Sequence, residues 1–306
     1  MTDTTLVSVG IPTHNNPDGL RNTLRCITGQ TYKNLEIIVS DNCSTTPMAN
    51  VVDEFHDPRI RIFRQATNIG GFANFEFVLA QAKGDYFMWA ADDDGWEPDF
   101  ISELLAAFKP SAIVSFCNYV KYAESGEVRG KIEITAESCE LGLREILDKV
   151  FSLKKINVAI YGLFRREALQ SLLGKGLPKH GALDRILFAY IALSGQTVVL
   201  SNKYLHKRVV HKGTYGSRHG GVKHGKAVNY FIDIVVTMEY YLECLKVLCI
   251  YAKDNDISDL WYYLRKFCGY VVIVESITLR VLPRILSSLL RSFKRLCLRG
   301  VKKCLA

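Results

Sequence analysis

The sequence has no Cys-X-X-Cys pair, no Gly-X-Gly-X-X-Gly after its first apolar run, and no Gly-X-X-X-X-Gly-Lys-Ser/Thr anywhere. The first absence excludes the paired-thiol zinc and redox sites built on that spacing. The other two exclude a dinucleotide oxidoreductase with a Gly-rich first turn and a P-loop enzyme, which cradle phosphate on such backbones. A nucleotide bound here is therefore held by carboxylates, amides and a metal. The cysteines number nine, at 26, 43, 117, 139, 244, 249, 268, 297 and 304. An odd, scattered set reads as a reduced, cytosolic chain. Residues 1–5 carry no basic cluster and lead into no long apolar stretch, so no signal peptide is expected there.

Acidic residues are missing from one place. From Ser276 onward there is none, against eight basic residues: Arg280, Arg284, Arg291, Lys294, Arg295, Arg299, Lys302 and Lys303. The chain carries 39 basic and 31 acidic residues, so setting those eight aside leaves the first 275 residues neutral. That excludes a basic nucleic-acid-binding core and leaves a basic C-terminal segment to explain. Leu282, Ile285, Leu286, Leu289, Phe293, Leu296 and Cys297 share one helical face there, and Arg280, Arg284, Arg291, Arg295 and Lys302 another. Pro283 starts or kinks this helix. Such a helix is expected to lie on an anionic membrane surface, each basic residue contributing roughly 1 kcal/mol, a partner-binding or nucleic-acid-binding helix being the other reading. Uninterrupted membrane spans are missing too. The long apolar stretches 228–251 and 260–278 contain Asp233, Glu239, Glu243 and Glu275, so they suit a helical hairpin packed on the main domain.

What is present is a series of strands alternating with helices. Leu6 to Ile11 forms a buried strand, and Pro12-Thr13-His14-Asn15-Asn16 breaks it. Asn16-Pro17 is an N-cap followed by proline at the first helical position, and Leu20, Leu24 and Ile27 follow at helical spacing. Leu35 to Ser40 is a second strand ending in Asp41, and a turn-rich stretch through Pro47 opens another helix. Arg59 to Arg64 alternates as a half-buried strand. Asn68-Ile69-Gly70-Gly71 then leads into a helix carrying Phe72, Phe75, Val78 and Leu79. Tyr86 to Ala91 runs into Asp92-Asp93-Asp94, and Ser111 to Tyr119 adds a strand. The pattern predicts βαβ units and an α/β fold, with Asp41 and Asp92 on one C-terminal sheet edge, where open sheets bind ligands. Three adjacent carboxylates stay ionised only in water or beside a cation, and an all-oxygen set suits Mg2+ or Mn2+. On its own, the cluster has a second, lesser reading as a solvated acidic turn.

Further along, Val158 to Phe164 reads as a strand and Glu167 to Leu173 as a short helix. Residues 174–181 form a loop, and Asp184 opens an apolar helix through Leu193, where the dipole favours an acid. Thr197 to Leu200 and Leu205 to Val210 read as two more strands. His211 begins a polar loop through Lys226, with Lys212, Tyr215, Arg218 and His219, of the length that binding loops have. The expected organisation is a domain over residues 1–225 and a helical appendage over 226–306. The domain divides into a nucleotide-binding half, about 1–120, and an acceptor half, about 121–225.

Taken in order, these stretches resemble the family-2 glycosyltransferases, which have the GT-A fold. The matching residues are Val9 to Asn15, Gln30 to Ser44, Asn68-Ile69-Gly70 with Asn74, Ala82 to Tyr86, and the acid cluster. The resemblance covers residues 6–110 and fades after about 120. It implies a GT-A Rossmann-like, mostly parallel sheet and inverting transfer of a sugar from a nucleotide-sugar donor, a UDP-sugar first, to an acceptor hydroxyl. Carried over by position, Pro12, Thr13, Asn15 and Asp41 contact base and ribose, and Asn68 and Gly70 join them. Asp92 and Asp93 face the nucleotide. Asp92 with Asp94, or Asp93 with Asp94, hold Mn2+ or Mg2+, with His211 offered toward metal or phosphate. Asp184 stands where the family places its general base. His14 replaces a frequent tyrosine, Ala91 stands where many members have an acid, and Leu183 precedes Asp184 where an acid is common. With the basic tail, the acceptor expected is a lipid-linked or surface-polysaccharide glycan, at the inner face of a membrane. Two other readings stand beside this one. One is a non-catalytic nucleotide-sugar-binding or scaffold protein of the same fold. The other is a nucleotidyltransferase, which would carry a Gly-rich basic loop where Pro12 to Asn15 stand.

Overall fold

The computed structural model describes residues 5–134, 139–151, 156–174 and 183–210. The predicted loop 211–226 with His211, the helical hairpin, the basic C-terminal helix and all but the first residue of the predicted loop 174–181 lie outside the described residues.

The strands are β1 (Val7–Thr13), β2 (Leu35–Asp41), β3 (Ile60–Arg64), β4 (Tyr86–Trp89), β5 (Gly95–Trp96), β6 (Ala112–Ala123), β7 (Val128–Ile132), β8 (Glu140–Leu141), β9 (Leu163–Arg165) and β10 (Thr197–Val210). The helices are α1 (Pro17–Thr28), α2 (Ala49–Asp53), α3 (Gly71–Ala80), α4 (Phe100–Ala107), α5 (Leu143–Phe151), α6 (Arg166–Leu173) and α7 (Leu183–Leu193). One sheet runs in the order β3-β2-β1-β4-β9-β6-β10-β5, with β7 beside β6 and β8 beside β10. The first four of these strands pair in parallel, as does β6 with β10. β9 pairs antiparallel with both β4 and β6 and so joins the two halves.

Alternation along the strands divides the core into two faces. Val7, Val9 and Ile11 of β1 and Met88 of β4 face Leu20, Leu24 and Ile27 of α1, Val51 of α2 and Leu104 of α4. Phe87 and Trp89 of β4 face the opposite way, onto Val78 of α3, Ile146 of α5, Leu172 of α6 and Phe188 of α7. A sheet covered on both faces by helices explains why β1 and β4 are buried at every position.

Three sequence expectations change. β1 continues through Pro12 and Thr13, which pair with Ser40 and Asp41 of β2. Pro12 is tolerated because β4 pairs with β1 only as far as Gly10, so the missing N–H interrupts no second ladder. Ile156–Tyr161 is a 3-10 turn, and only Leu163–Arg165 is strand. A short unalternating apolar run does not separate those two states. The two strands expected between Thr197 and Val210 are one, its register against β6 shifting between Ser201 and Tyr204 and again between Tyr204 and His206. The polar Asn202 and Lys203 are absorbed by an irregularity instead of ending the strand.

Candidate active site

Three strand ends converge. Thr13 closes β1 and lies in register with Asp41 at the end of β2. Beyond β4, Ala90 N–H still bonds to Gly10 O at 2.9 Å. The chain then leaves the sheet, and Asp92-Asp93-Asp94 forms the turn into β5. Helix α1 braces this turn. Asn16 Nδ2 donates to the Asp92 carbonyl at 3.0 Å, and Thr23 Oγ1 donates to Ala91 O at 3.0 Å and Asp94 O at 3.2 Å. Asn16 also caps α1, accepting from Gly19 N at 3.2 Å. A Cβ on Gly19 would stand 2.1 Å from the Asp92 carbonyl oxygen. Gly19→Ala adds about 1 kcal/mol of helix propensity. It also drives α1 off the acid turn, an overpacking that costs about 1–3 kcal/mol in side-chain cases and more against backbone. The midpoint of thermal unfolding is therefore expected to fall, and a rise would show that the two segments do not touch so closely.

The three acids differ. Asp92 is buried, and its Oδ2 accepts from Thr13 Oγ1 at 2.6 Å. Burial pushes its carboxyl up to about 7, Asp93 beside it adds to the rise, and the neutral donors Thr13, Asn16 and the His14 N–H offset only part. Asp93 is half-buried, the most exposed of the three. Asp94 is buried, and both its oxygens are engaged by β10: Oδ2 by His206 Nε2 at 2.8 Å, Oδ1 by Val209 N–H at 2.9 Å. His206 is buried and stacks on Trp96, ring centroids 5.6 Å apart and planes 11° from parallel.

The raised Asp92 pKa has a measurable consequence. Folding favours the protonated form, so its contribution to stability is complete below the ordinary value of 3.8 and is lost as pH rises through about 7. Asp92→Asn is permanently neutral. The metal-free variant is expected to be more stable than the parent at pH 8 and to lack part of the parent's decline between pH 5 and 8. Parallel thermal-unfolding curves for the two proteins across that range would refute this.

Beside the acid turn is a second cluster. Asp41 is 1% exposed, with Oδ1 accepting from Ser44 N–H and Oδ2 from Met48 N–H and Arg64 Nη1. Burial pushes its pKa up, but the Ser44 and Met48 hydrogen bonds and the Arg64 charge outweigh that and hold it below the ordinary range. Its carboxylate thus shapes the loop after β2. Asn15, at φ 53°, accepts from Thr45 N–H and Oγ1. Asn68 Oδ1 accepts from Asn42 Nδ2 and Gly70 N–H, and Gly70 has φ 84°, which favours glycine. His14 Nε2 lies 3.1 Å from Asn15 Nδ2 and 3.4 Å from Asn68 Nδ2. Two amide donors make Nε2 the acceptor, which assigns the proton to Nδ1, a buried atom without a partner. Asn74 is a strut, bonded through its amide to Ser40 Oγ and O.

Pro12, Thr13, Asn15, Asp41, Asn68, Gly70, Asp92, Asp93 and Asp94 thus lie on the strand ends and loops of one sheet edge. Asp184 is the second residue of α7, its side chain not being among those described. His206 was missed by sequence reasoning. Only the alternation of β10 pointed to it, and nothing local indicated a bond to an acid 112 residues away. Among the described residues no three His, Cys, Asp or Glu side chains converge as a ready metal cage. The donor set nevertheless fits a divalent ion. It offers oxygen only, and Asp92 is a buried carboxyl met by neutral donors, so a cation would favour its ionised form. Such an ion is commonly held by one or two carboxylates, with phosphate and water completing the shell. The residues that would hold it are Asp92 and Asp94 or Asp93 and Asp94.

A family model described as Glycosyl transferase family 2 matches residues 8–173. The chain is 30% identical over 130 residues to a putative colanic acid biosynthesis glycosyl transferase, WcaA, of Escherichia coli K12, covering 42% of this chain and 47% of that one. It is 30% identical over 115 residues to WfaP of Escherichia coli, named a UDP-Glc:alpha-D-GlcNAc-diphosphoundecaprenol beta-1,3-glucosyltransferase, covering 37% and 46%. The chain thus spans about half the length of these curated relatives. The crystal structure of S. aureus TarS 1-349 in complex with UDP-GlcNAc superposes with a TM-score of 0.62 at 16% identity, covering 86% of this chain and 71% of that one. At that identity the match speaks for the fold.

Proposed function

The chain belongs to glycosyl transferase family 2, and from that premise we propose that it transfers a sugar, with inversion, from a nucleoside-diphosphate sugar to a hydroxyl of a lipid-linked or surface-polysaccharide glycan. A UDP-sugar is the first donor to test. The observation that carries this reading is the acid turn, fixed between α1 and β10 and touching Thr13 at the sheet edge. The relatives' names support this acceptor class: one is named for an undecaprenol diphosphate sugar acceptor, another for colanic acid biosynthesis.

The donor's base and ribose would lie against Thr13, Asn15, Asp41 and Asn68, with the diphosphate toward Asp92 and its two neighbours. A divalent cation bound there supplies Lewis-acid stabilisation of the charge that builds on the departing diphosphate. The acceptor hydroxyl must lose a proton as it attacks the anomeric carbon, and the base has to stand on the face opposite the leaving group. Asp184 fills that role in this reading. A screen of UDP-sugars with Mn2+ or Mg2+, reading released nucleoside diphosphate, tests the proposal. Turnover of one donor, abolished by chelation, is expected. Tight donor binding without turnover under any acceptor or metal would instead support the scaffold reading, which the missing acid before Asp184 favours.

Attachment to a membrane rests on the sequence of residues 280–303. Among the described residues no helix is long and apolar enough to cross a membrane. Deleting the chain from Val281 onward is expected to release it from vesicles containing anionic lipid, while soluble-acceptor turnover persists. Unchanged vesicle association after the deletion would remove the anchor from this account.

A further inference from the structure

This inference rests on the proposed role of Asp94 at the metal. We infer that His206 is a positioning residue: it fixes the Asp94 carboxylate in the orientation that binds the metal–diphosphate pair.

Asp94 receives one bond on each oxygen, both from β10 residues three apart: His206 Nε2–H to Oδ2 at 2.8 Å and Val209 N–H to Oδ1 at 2.9 Å. Two donors from one strand define the plane of the carboxylate. Each oxygen keeps one further lone-pair direction for a cation. The imidazole is itself held. The side chains of His206 and Asp94 are 3% and 4% exposed. Trp96 lies flat on the ring at 5.6 Å, with Tyr119 at 6.1 Å and Tyr161 at 5.7 Å. His206 pairs in register with Trp96 across β5 and β10, so Asp94 and Trp96, two positions apart, grip the same ring. His206 spends its Nε2 proton on Asp94 and is enclosed by aromatics, so it acts through Asp94 and not by touching the metal. Partners that orient a metal-binding side chain commonly contribute 10- to 100-fold in affinity.

The test uses the full chain, with Mn2+ and UDP as probes. H206F keeps a ring against Trp96 but cannot donate. H206Q can place an amide near the position of Nε2. H206N, too short to reach Oδ2, is a second donor-removing variant should H206F fail to fold. Mn2+ binding in the presence of UDP is read by the electron paramagnetic resonance signal of free Mn2+, and UDP binding without metal by calorimetry. H206F and H206N are expected to weaken Mn2+ binding about 10- to 100-fold. H206Q is expected to restore most of it, and metal-free UDP binding should stay unchanged in all three. Combining H206F with D94N should add nothing to the loss in D94N alone. Wild-type Mn2+ affinity in H206F alongside its loss in D94N would overturn the role of His206 alone. Wild-type affinity in D94N would overturn the reading of Asp94 on which it rests. Wild-type affinity in H206F with a loss in H206Q would mean that the imidazole serves packing. Nitrogen hyperfine coupling from His206 to bound Mn2+ would make it a direct ligand.

Discussion

Asp94→Ala is expected to lower nucleoside diphosphate release from the correct donor by about 100- to 1,000-fold, the range seen when a group stabilising transition-state charge is removed. The loss should fall mainly on kcat/KM at low Mn2+ and be only partly recovered at high Mn2+. The side chain is buried, and its oxygens tie the acid turn to β10 through His206 and Val209. Alanine would remove the proposed metal contact, and it leaves two donors in β10 without an acceptor. A stability measurement must therefore accompany the rate. Asp94→Asn keeps an acceptor for one donor and most of the shape, and it should show the same rate loss with a smaller shift in unfolding midpoint. Turnover near wild type in both variants would remove the acid turn from the chemistry.

Asp93 presents a useful contrast. It is half-buried where its two neighbours are buried. The structure thus gives the three adjacent acids three environments: one buried against neutral donors, one opening toward solvent, one bonded to β10. The sequence alone showed three equivalent carboxylates. Their separation depends on what α1 and β10 bring to them, and those contacts span 76 and 112 positions. No local pattern carries that information. The elements around them were more legible, because short-range chemistry determines them. Asn16 and Pro17 begin α1 as their capping chemistry requires, and β2 ends at Asp41 as its apolar run does. Where short-range signals conflicted with long-range pairing, pairing won. The polar Asn202–Lys203 stretch stayed within β10 because β6 continues beside it, and Pro12 stayed within β1 because β2 does. The same long-range dependence hid the imidazole: position 206 meets Asp94 because β5 lies against β10.

Asp184→Asn is expected to lower kcat by about 100- to 10,000-fold, the range of general acid–base contributions, while leaving the affinity for Mn2+ and UDP unchanged. That split would distinguish it from Asp94, whose loss is expected to weaken metal and nucleotide together. Asp184 is the second residue of α7, and the helix behind it is firmly seated: Ile186, Leu187 and Phe188 are each at most 1% exposed and pack into the core that holds Trp89 and Phe164. An acid in the first turn of such a helix is stabilised in its ionised form by the N-terminal dipole, by about 0.3–1 kcal/mol. The wild-type kcat should accordingly fall at acid pH as this carboxylate protonates, and the asparagine variant should have lost that limb of the profile. Asparagine is nearly isosteric, so the unfolding midpoint is expected to fall only slightly, by no more than the lost dipole contribution. A variant that turns over donor and acceptor at the wild-type rate would remove Asp184 from the mechanism. A variant that loses UDP binding as well would place it in the donor site instead of opposite the leaving group.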